Sequence, residues 1–129
     1  MGEVDAATGG GRTDGPADGP DVAQVLAALS RWIDEHPANA ARDREAALWG
    51  RLSKVTEEAG EVVAALIAVT GQNPRKPASG SMADVESELL DVAVTALAAV
   101  EHLRGNDGSS TAALAAHVRA LAVRAGLTA

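Results

Sequence analysis

One long segment constrains the fold of this 129-residue chain more than any other feature. Between about residues 40 and 69, apolar side chains recur every three or four residues, the spacing that lines one face of an α-helix. Pro37 precedes the segment and Gly71 follows it, so residues that stop helices lie at both ends. The apolar positions are Leu48, Leu52, Val55, Ala59, Val62, Val63, Leu66 and Ile67. We predict a single long helix over residues 40–69.

Three other segments show the same helical spacing, over residues 21–36, 81–104 and 110–125. Each begins at a residue whose side chain can accept a hydrogen bond from a free backbone N–H group of the first turn. These capping residues are Asp21, Ser81 and Ser110. Asp84, three residues after Ser81, adds a variant of the capping box. The connections between the four predicted helices are short and contain glycine or proline.

The amino-acid composition favours helices over strands. The chain contains no Phe, Tyr or Cys and only two Trp residues, and its apolar residues are mainly Ala, Val and Leu. Ala and Leu favour helices, and alternating runs of β-branched or aromatic residues are missing. Four helices with short links predict an all-α fold of the four-helix bundle type. A core without aromatic rings buries little area per residue, which favours a homo-oligomer.

Charge and cysteine content argue against several functions. The net charge of −7 argues against nucleic acid or an anionic membrane as a partner. The absence of Cys excludes disulfides and thiolate metal sites. Residues 1–20 are rich in Gly, Pro and Asp and predict a disordered tail before one domain over residues 21–129. Without a basic-then-apolar leader or an apolar run of about 20 residues, we expect a soluble, cytoplasmic protein.

Carboxylates border the apolar faces of the second and third predicted helices. On the second helix, Glu57, Glu58 and Glu61 fall within about 100° of one another, with Glu58 nearest the apolar face. On the third helix, Glu88 and Asp91 lie about 60° apart, also beside the apolar face. If these two helices pack antiparallel, the two acidic stripes can face each other.

Four or five carboxylates in one small volume repel one another unless protons or cations neutralise them. Mg²⁺ or Mn²⁺ is the expected cation, because hard divalent ions take oxygen ligands. Helical bundles that hold iron use a Glu-x-x-His motif, which this chain does not contain. A solvated acidic face is the competing interpretation, since Lys54 lies three and four residues before Glu57 and Glu58 and can pair with both.

The two acidic motifs resemble those of a known enzyme family. The segment KVTEEAGEVVAAL contains Glu57-Glu58-Ala59-Gly60-Glu61, and ESELLDVAVTAL contains Glu88-Leu89-Leu90-Asp91. This EExxE motif, followed by ExxD on the next helix, is similar to the MazG-like family of all-α nucleoside triphosphate pyrophosphohydrolases. The relatives in that superfamily include dCTP-cleaving and dimeric dUTP-cleaving enzymes. The likeness covers about residues 49–103.

The resemblance implies Mg²⁺-dependent cleavage of a canonical or non-canonical (d)NTP to a monophosphate and pyrophosphate. It implies metal ligands at Glu58, Glu61, Glu88 and Asp91. Glu57, beside Glu58 in the catalytic pair, would be a further ligand or the base that orients the attacking water. The resemblance also implies a homodimer or a pair of dimers, with these two helices at its centre.

Other side chains are candidates for substrate contacts. Lys54, Arg75 and Lys76 are candidates for contacts with phosphate groups, and Asn73 offers an amide. Trp49, two turns before Glu57, could stack on a base, and packing in the core is its alternative role. The base preference is left open.

Two other functions are compatible with the same residues. A non-catalytic helical module that binds a nucleotide or a protein would keep the acidic cluster without turnover. A purely structural dimerisation bundle would show no change of melting temperature with Mg²⁺, because only a ligand that prefers the native state stabilises it.

Overall fold

The computed structural model describes residues 19–128, and all regular secondary structure in that range is helical. The five helices are α1 (Val22–Glu35), α2 (Pro37–Ala40), α3 (Arg44–Thr70), α4 (Met82–Leu103) and α5 (Ser110–Arg124). The all-α prediction is therefore confirmed for the described residues. The tail predicted over residues 1–20 lies outside them, apart from its last two positions.

Local capping chemistry sets most of the helix ends. The Asp21 side chain accepts a hydrogen bond from the Ala23 N–H at 3.3 Å, as predicted for the start of α1. Gly71 ends α3 with a left-handed φ of 66°, a conformation that glycine adopts without strain. The Ser81 N–H donates to the Asp84 carboxylate at 2.6 Å, which is one half of the predicted capping box.

The long helix begins later than predicted, because a separate helical turn precedes it. His36 Nδ1 accepts from the Ala38 N–H at 3.2 Å, and with Pro37 in the first turn this cap starts the four-residue helix α2. Asp43 then accepts from the Ala46 N–H at 2.8 Å and starts α3 at residue 44 instead of residue 40. At α5, Ser110 is the first helical residue and Ser109 is the N-cap, one position earlier than predicted.

Helices α3 and α4 form an antiparallel pair, joined by residues 71–81, and their packing is the most extensive in the chain. Helix α1 lies against α4, and α5 touches α4 and α1 at one end of the pair. Within residues 19–128, the buried apolar side chains come from α1 and α4. They are Leu26, Ala27, Val85, Ala98 and Ala99. No helix among residues 19–128 combines the length and the apolarity needed to cross a bilayer.

Much of the apolar face of α3 is uncovered in a single chain. We call this surface the outer stripe of α3, and it consists of Trp49, Leu52, Val63, Leu66 and Ile67. Trp49 is 64% exposed, so packing in the core does not account for it within one chain. Several large apolar side chains exposed on one helix face favour an interaction site over a solvated face.

Buried polar groups tie the end of α4 to its neighbours. Glu101 is completely buried, and its two carboxylate oxygens accept from the N–H groups of Gly108 and Ser110 at 2.9 Å each. Burial alone would raise the pKa of Glu101, but the hydrogen bonds from Ser110 and Gly108 outweigh it and lower that pKa. A charged carboxylate from α4 therefore satisfies free backbone donors at the start of α5.

Candidate metal centre and adjoining cavity

Three carboxylates converge on the groove between α3 and α4. Glu58 comes from α3, and Glu88 and Asp91 come from one face of α4, three residues apart. Each offers an oxygen atom that lies within 4.8 Å of the other two. Glu58 and Glu88 are half-buried, and Asp91 is exposed. The antiparallel pairing of the two helices brings the predicted acidic stripes together.

The carboxylates influence one another electrostatically. Partial burial, followed by repulsion from Glu61, Asp91, Glu58 and Asp84, raises the pKa of Glu88. Glu61 is thus close enough to act on Glu88, although it does not belong to the group of three converging carboxylates. This excess of negative charge is what a bound cation would relieve.

Lys54 neutralises part of that charge. Its Nζ lies 3.0 Å from Glu57 Oε2 and 2.9 Å from Glu58 Oε1. The hydrogen bonds to Glu58 and Glu57 raise the pKa of Lys54. The side chain of Glu58 is 16% exposed, whereas that of Glu57 is 58% exposed. The structure therefore contains both the carboxylate cluster and the Lys54 ion pairs that were its alternative explanation. Lys54 lies beside the cluster.

The other predicted substrate residues lie away from the three carboxylates in the single chain. Asn73, Arg75 and Lys76 belong to the loop after α3, and the twelve residues from Glu58 to the end of that helix span about 18 Å. In the loop, Asn73 Oδ1 accepts from the Arg75 N–H at 3.0 Å, so this amide shapes a turn. Trp49 lies nine residues before Glu58, about half a turn round the helix from it.

A cavity of about 350 Å³ opens in the same groove, beside Lys54. Its residues on α3 precede Glu58 by one to three turns, and its residues on α4 follow Asp91 by one to two turns. They are Ala47, Gly50, Arg51 and Lys54 on α3, and Val94, Thr95 and Ala98 on α4. Helix α1 and the α1–α3 connection close it with Asp34, Asn39 and Arg42 among others. The acidic cluster and the cavity are thus two parts of one groove.

Arg51 is the charged residue that the sequence reasoning missed. It is only 7% exposed, and its Nη2 donates to the Ser30 carbonyl oxygen at 2.6 Å, to Ser30 Oγ at 3.1 Å and to Asp34 Oδ1 at 2.8 Å. The one available signal was its position, one turn before Val55 on the face of α3 predicted to be buried. An arginine is rarely placed there without a partner.

Asp34 interacts both with Arg51 on α3 and with residues at the end of α4. Its Oδ1 also lies 2.8 Å from His102 Nδ1, and its Oδ2 accepts from Asn106 Nδ2 at 2.9 Å. Burial would raise the pKa of Asp34, but hydrogen bonds from Asn106, Arg51 and His102, together with the charge on Arg51, lower it to about 2. Asp34 is therefore ionised at neutral pH, and both of its carboxylate oxygens are hydrogen-bonded.

No protein-family model, curated protein or solved structure matches this chain. The family resemblance of the two acidic motifs thus stays a prediction from the residues. The geometry itself offers a cluster of oxygen ligands suited to a hard divalent cation, next to a cavity lined by cationic side chains.

Proposed function

We propose that the protein is a divalent-cation-dependent hydrolase that cleaves a nucleoside triphosphate to the monophosphate and pyrophosphate. The observation that carries the proposal is the convergence of Glu58, Glu88 and Asp91 within 4.8 Å, beside a cavity large enough for part of a nucleotide. The EExxE and ExxD motifs that supply these residues point to the same chemistry.

The donor set fits Mg²⁺ or Mn²⁺. Three carboxylates from two rigid helices leave coordination positions for water and for phosphate oxygens, which is how Mg²⁺ is usually held at phosphate-transfer sites. A cation bound there would neutralise charge on the phosphates and polarise the phosphorus that is attacked. Glu61, whose charge acts on Glu88, would be the fourth ligand of the predicted set.

Protein side chains would do the remaining work. Glu57 is exposed beside Glu58, so its carboxylate would hydrogen-bond a water molecule and orient it. Lys54 stands between the cluster and the cavity, and once it is released from Glu58 it would donate to a phosphate oxygen. Phosphoryl transfer depends mainly on such positioning and charge neutralisation.

We also propose that the active form is a homodimer, with a further pairing of dimers as its extension. The outer stripe of α3 supplies an apolar surface that the single chain leaves in water. A second copy of the chain is the simplest partner to bury this stripe, because a two-fold axis packs the same surface against itself. Two α3–α4 pairs packed through this stripe would complete the predicted four-helix core.

The test of the catalytic proposal is pyrophosphate release from a panel of NTPs and dNTPs, with and without Mg²⁺ or Mn²⁺. We expect metal-dependent release that falls at least about 100-fold in Glu58→Gln and in Asp91→Asn, because each removes a charged ligand. Glu86→Gln is the matched control, since Glu86 is exposed and lies on the other side of α4 from Glu88. Equal turnover in all three variants would reject the assignment.

A nucleotide-binding module without catalysis is the second candidate. Two observations favour it: Lys54 already occupies an oxygen of Glu58, and no aromatic side chain among the described residues lines the cavity. This candidate predicts nucleotide binding, measured by calorimetry, without pyrophosphate release at saturating Mg²⁺. Turnover would exclude it.

A further inference from the structure

Lys54 already supplies a positive charge to the carboxylate cluster. Its ammonium group lies 2.9 Å from Glu58 Oε1 and 3.0 Å from Glu57 Oε2, so one nitrogen bridges two neighbouring carboxylates. In the described part of the chain, no other Lys, Arg or His side chain forms an ion pair with any of the three converging carboxylates. A metal ion at the cluster would therefore share Glu58 with this ammonium group.

Lys54 can leave Glu58 without disturbing the helix. Its side chain is 51% exposed and has a flexible four-carbon stem, whereas the side chain of Glu58 is only 16% exposed. Its two ion pairs span one turn of α3, and contacts at that spacing add little to the stability of a helix. Lys54 also lines the cavity of about 350 Å³. The ammonium group can therefore turn towards a ligand that enters the groove.

The ammonium group and a metal ion at the cluster oppose each other. Both are cations that interact with the negative charge of Glu58, and like charges a few ångströms apart repel each other. Glu58 is half-buried, so salt screens this repulsion less than it would on an open surface. A metal ion that arrives alone must displace Lys54 or bind beside it, and either event lowers the affinity for the metal.

A nucleotide changes this balance, because its phosphates offer Lys54 another acceptor. Phosphate oxygens form strong, charge-assisted hydrogen bonds with ammonium groups. Resting on the proposed function, we infer that Lys54 couples the two ligands of the site: it weakens binding of the metal ion alone, and the nucleotide relieves this effect by drawing Lys54 away from Glu58. The coupling is reciprocal, so the metal ion strengthens nucleotide binding by the same factor. The site then fills with metal and nucleotide together.

Binding of Mn²⁺ without nucleotide tests the effect of Lys54 on the metal. The electron paramagnetic resonance signal of free Mn²⁺ measures how much of the ion is bound. We expect Lys54→Met to bind Mn²⁺ at least about tenfold more tightly than the wild type, because the competing charge is gone. A damaged fold would weaken binding, so a gain of affinity identifies the competition. Equal or weaker binding in Lys54→Met would overturn the inference.

Lys76→Met is the matched control for this titration. Lys76 is an exposed residue of the loop after α3, so the substitution removes the same charge from the chain at a position away from the cluster. We expect its Mn²⁺ affinity to stay within about threefold of the wild type, because solvent and salt screen a distant charge. A gain as large as that of Lys54→Met would assign the effect to net charge and overturn the role of Lys54.

A nucleotide that resists cleavage tests the coupling. In α,β-methylene-ATP, a carbon replaces the oxygen that leaves the α-phosphorus. This analogue should raise the Mn²⁺ affinity of the wild type at least about tenfold, and should raise that of Lys54→Met by less than about threefold. Chelation of Mn²⁺ by the free analogue is the same in both titrations and cancels in the comparison. No enhancement in the wild type, or equal enhancement in both proteins, would overturn the coupling.

The titration with Mn²⁺ alone separates this inference from the catalytic proposal, because it needs no turnover. Tighter Mn²⁺ binding in Lys54→Met, without pyrophosphate release from any nucleotide, would support the competition between Lys54 and the metal although catalysis had failed. Pyrophosphate release by the wild type, together with equal Mn²⁺ affinities in the two proteins, would overturn the role of Lys54 alone. Binding of Mn²⁺ to neither protein would overturn both proposals.

Discussion

At the scale of single residues, Asp34 makes a contribution to stability that depends on pH. Its pKa is lowered to about 2 from an ordinary value of 3.8, so its stabilising effect is complete above about pH 4 and is lost as the pH falls towards 2. The shift corresponds to about 2 kcal/mol of unfolding free energy. Its hydrogen bonds to Arg51, His102 and Asn106 account for that effect.

We therefore expect Asp34→Asn to be less stable than the wild type at pH 7 and to show a flatter loss of stability in acid. Urea denaturation followed by far-UV circular dichroism, repeated between pH 6 and pH 2.5, measures both effects. Parallel curves for the two proteins across that range would show that other carboxylates dominate the acid transition. Glu35→Gln is a suitable control, since Glu35 is an exposed neighbour on the same helix.

At the scale of helices and loops, Glu101 fastens the start of α5 to the end of α4. In Glu101→Gln one oxygen becomes an amino group, which faces a backbone N–H donor instead of accepting from it. We expect a loss of about 2 kcal/mol in unfolding free energy. Faster amide hydrogen exchange at Gly108 or Ser110 would locate the loss. Unchanged exchange at both amides would contradict the role given to this carboxylate.

The ends of the helices could be predicted from the sequence wherever neighbouring residues determine them. The cap at Asp21, the capping box at Ser81 and the stop at Gly71 each depend on residues a few positions apart, and the structure confirms them. The turn of α2 was missed because its cap is His36, a side chain that rarely serves as one. Local periodicity predicted the outline of α3 but placed its start four residues too early, at residue 40 instead of residue 44.

In the candidate site, too, the sequence predicts the features that depend on helical spacing and misses those that depend on contacts between helices. Glu58, Glu88 and Asp91 were predictable together, because helical spacing fixes the face of each and antiparallel packing fixes the pairing. The contact between Arg51 and Asp34 joins two helices, and the cavity depends on how far apart those helices lie. Neither quantity is encoded in the periodicity of a single segment, so the cavity beside the carboxylates could be read only from the structure.

At the scale of the whole molecule, burial is sparse for a chain of this length. Among residues 19–128, five buried apolar side chains, three of them alanines, form the core, while the outer stripe of α3 stays in water. Apolar burial is the main favourable term in folding, and small side chains contribute little of it. In the proposed homodimer, a second copy over the stripe would add the missing burial and would make folding and association parts of one equilibrium.

The dimer proposal leads to a specific prediction for the double variant Val63→Glu, Ile67→Glu. Both side chains belong to the outer stripe, and both point away from the face of α3 that carries Glu58. Paired copies would place four added carboxylates in an apolar contact, so we expect light scattering to give half the wild-type mass. The melting temperature should also fall and lose its dependence on protein concentration. A monomeric wild type, or a double variant with the wild-type mass, would show that a second copy does not bury the outer stripe of α3.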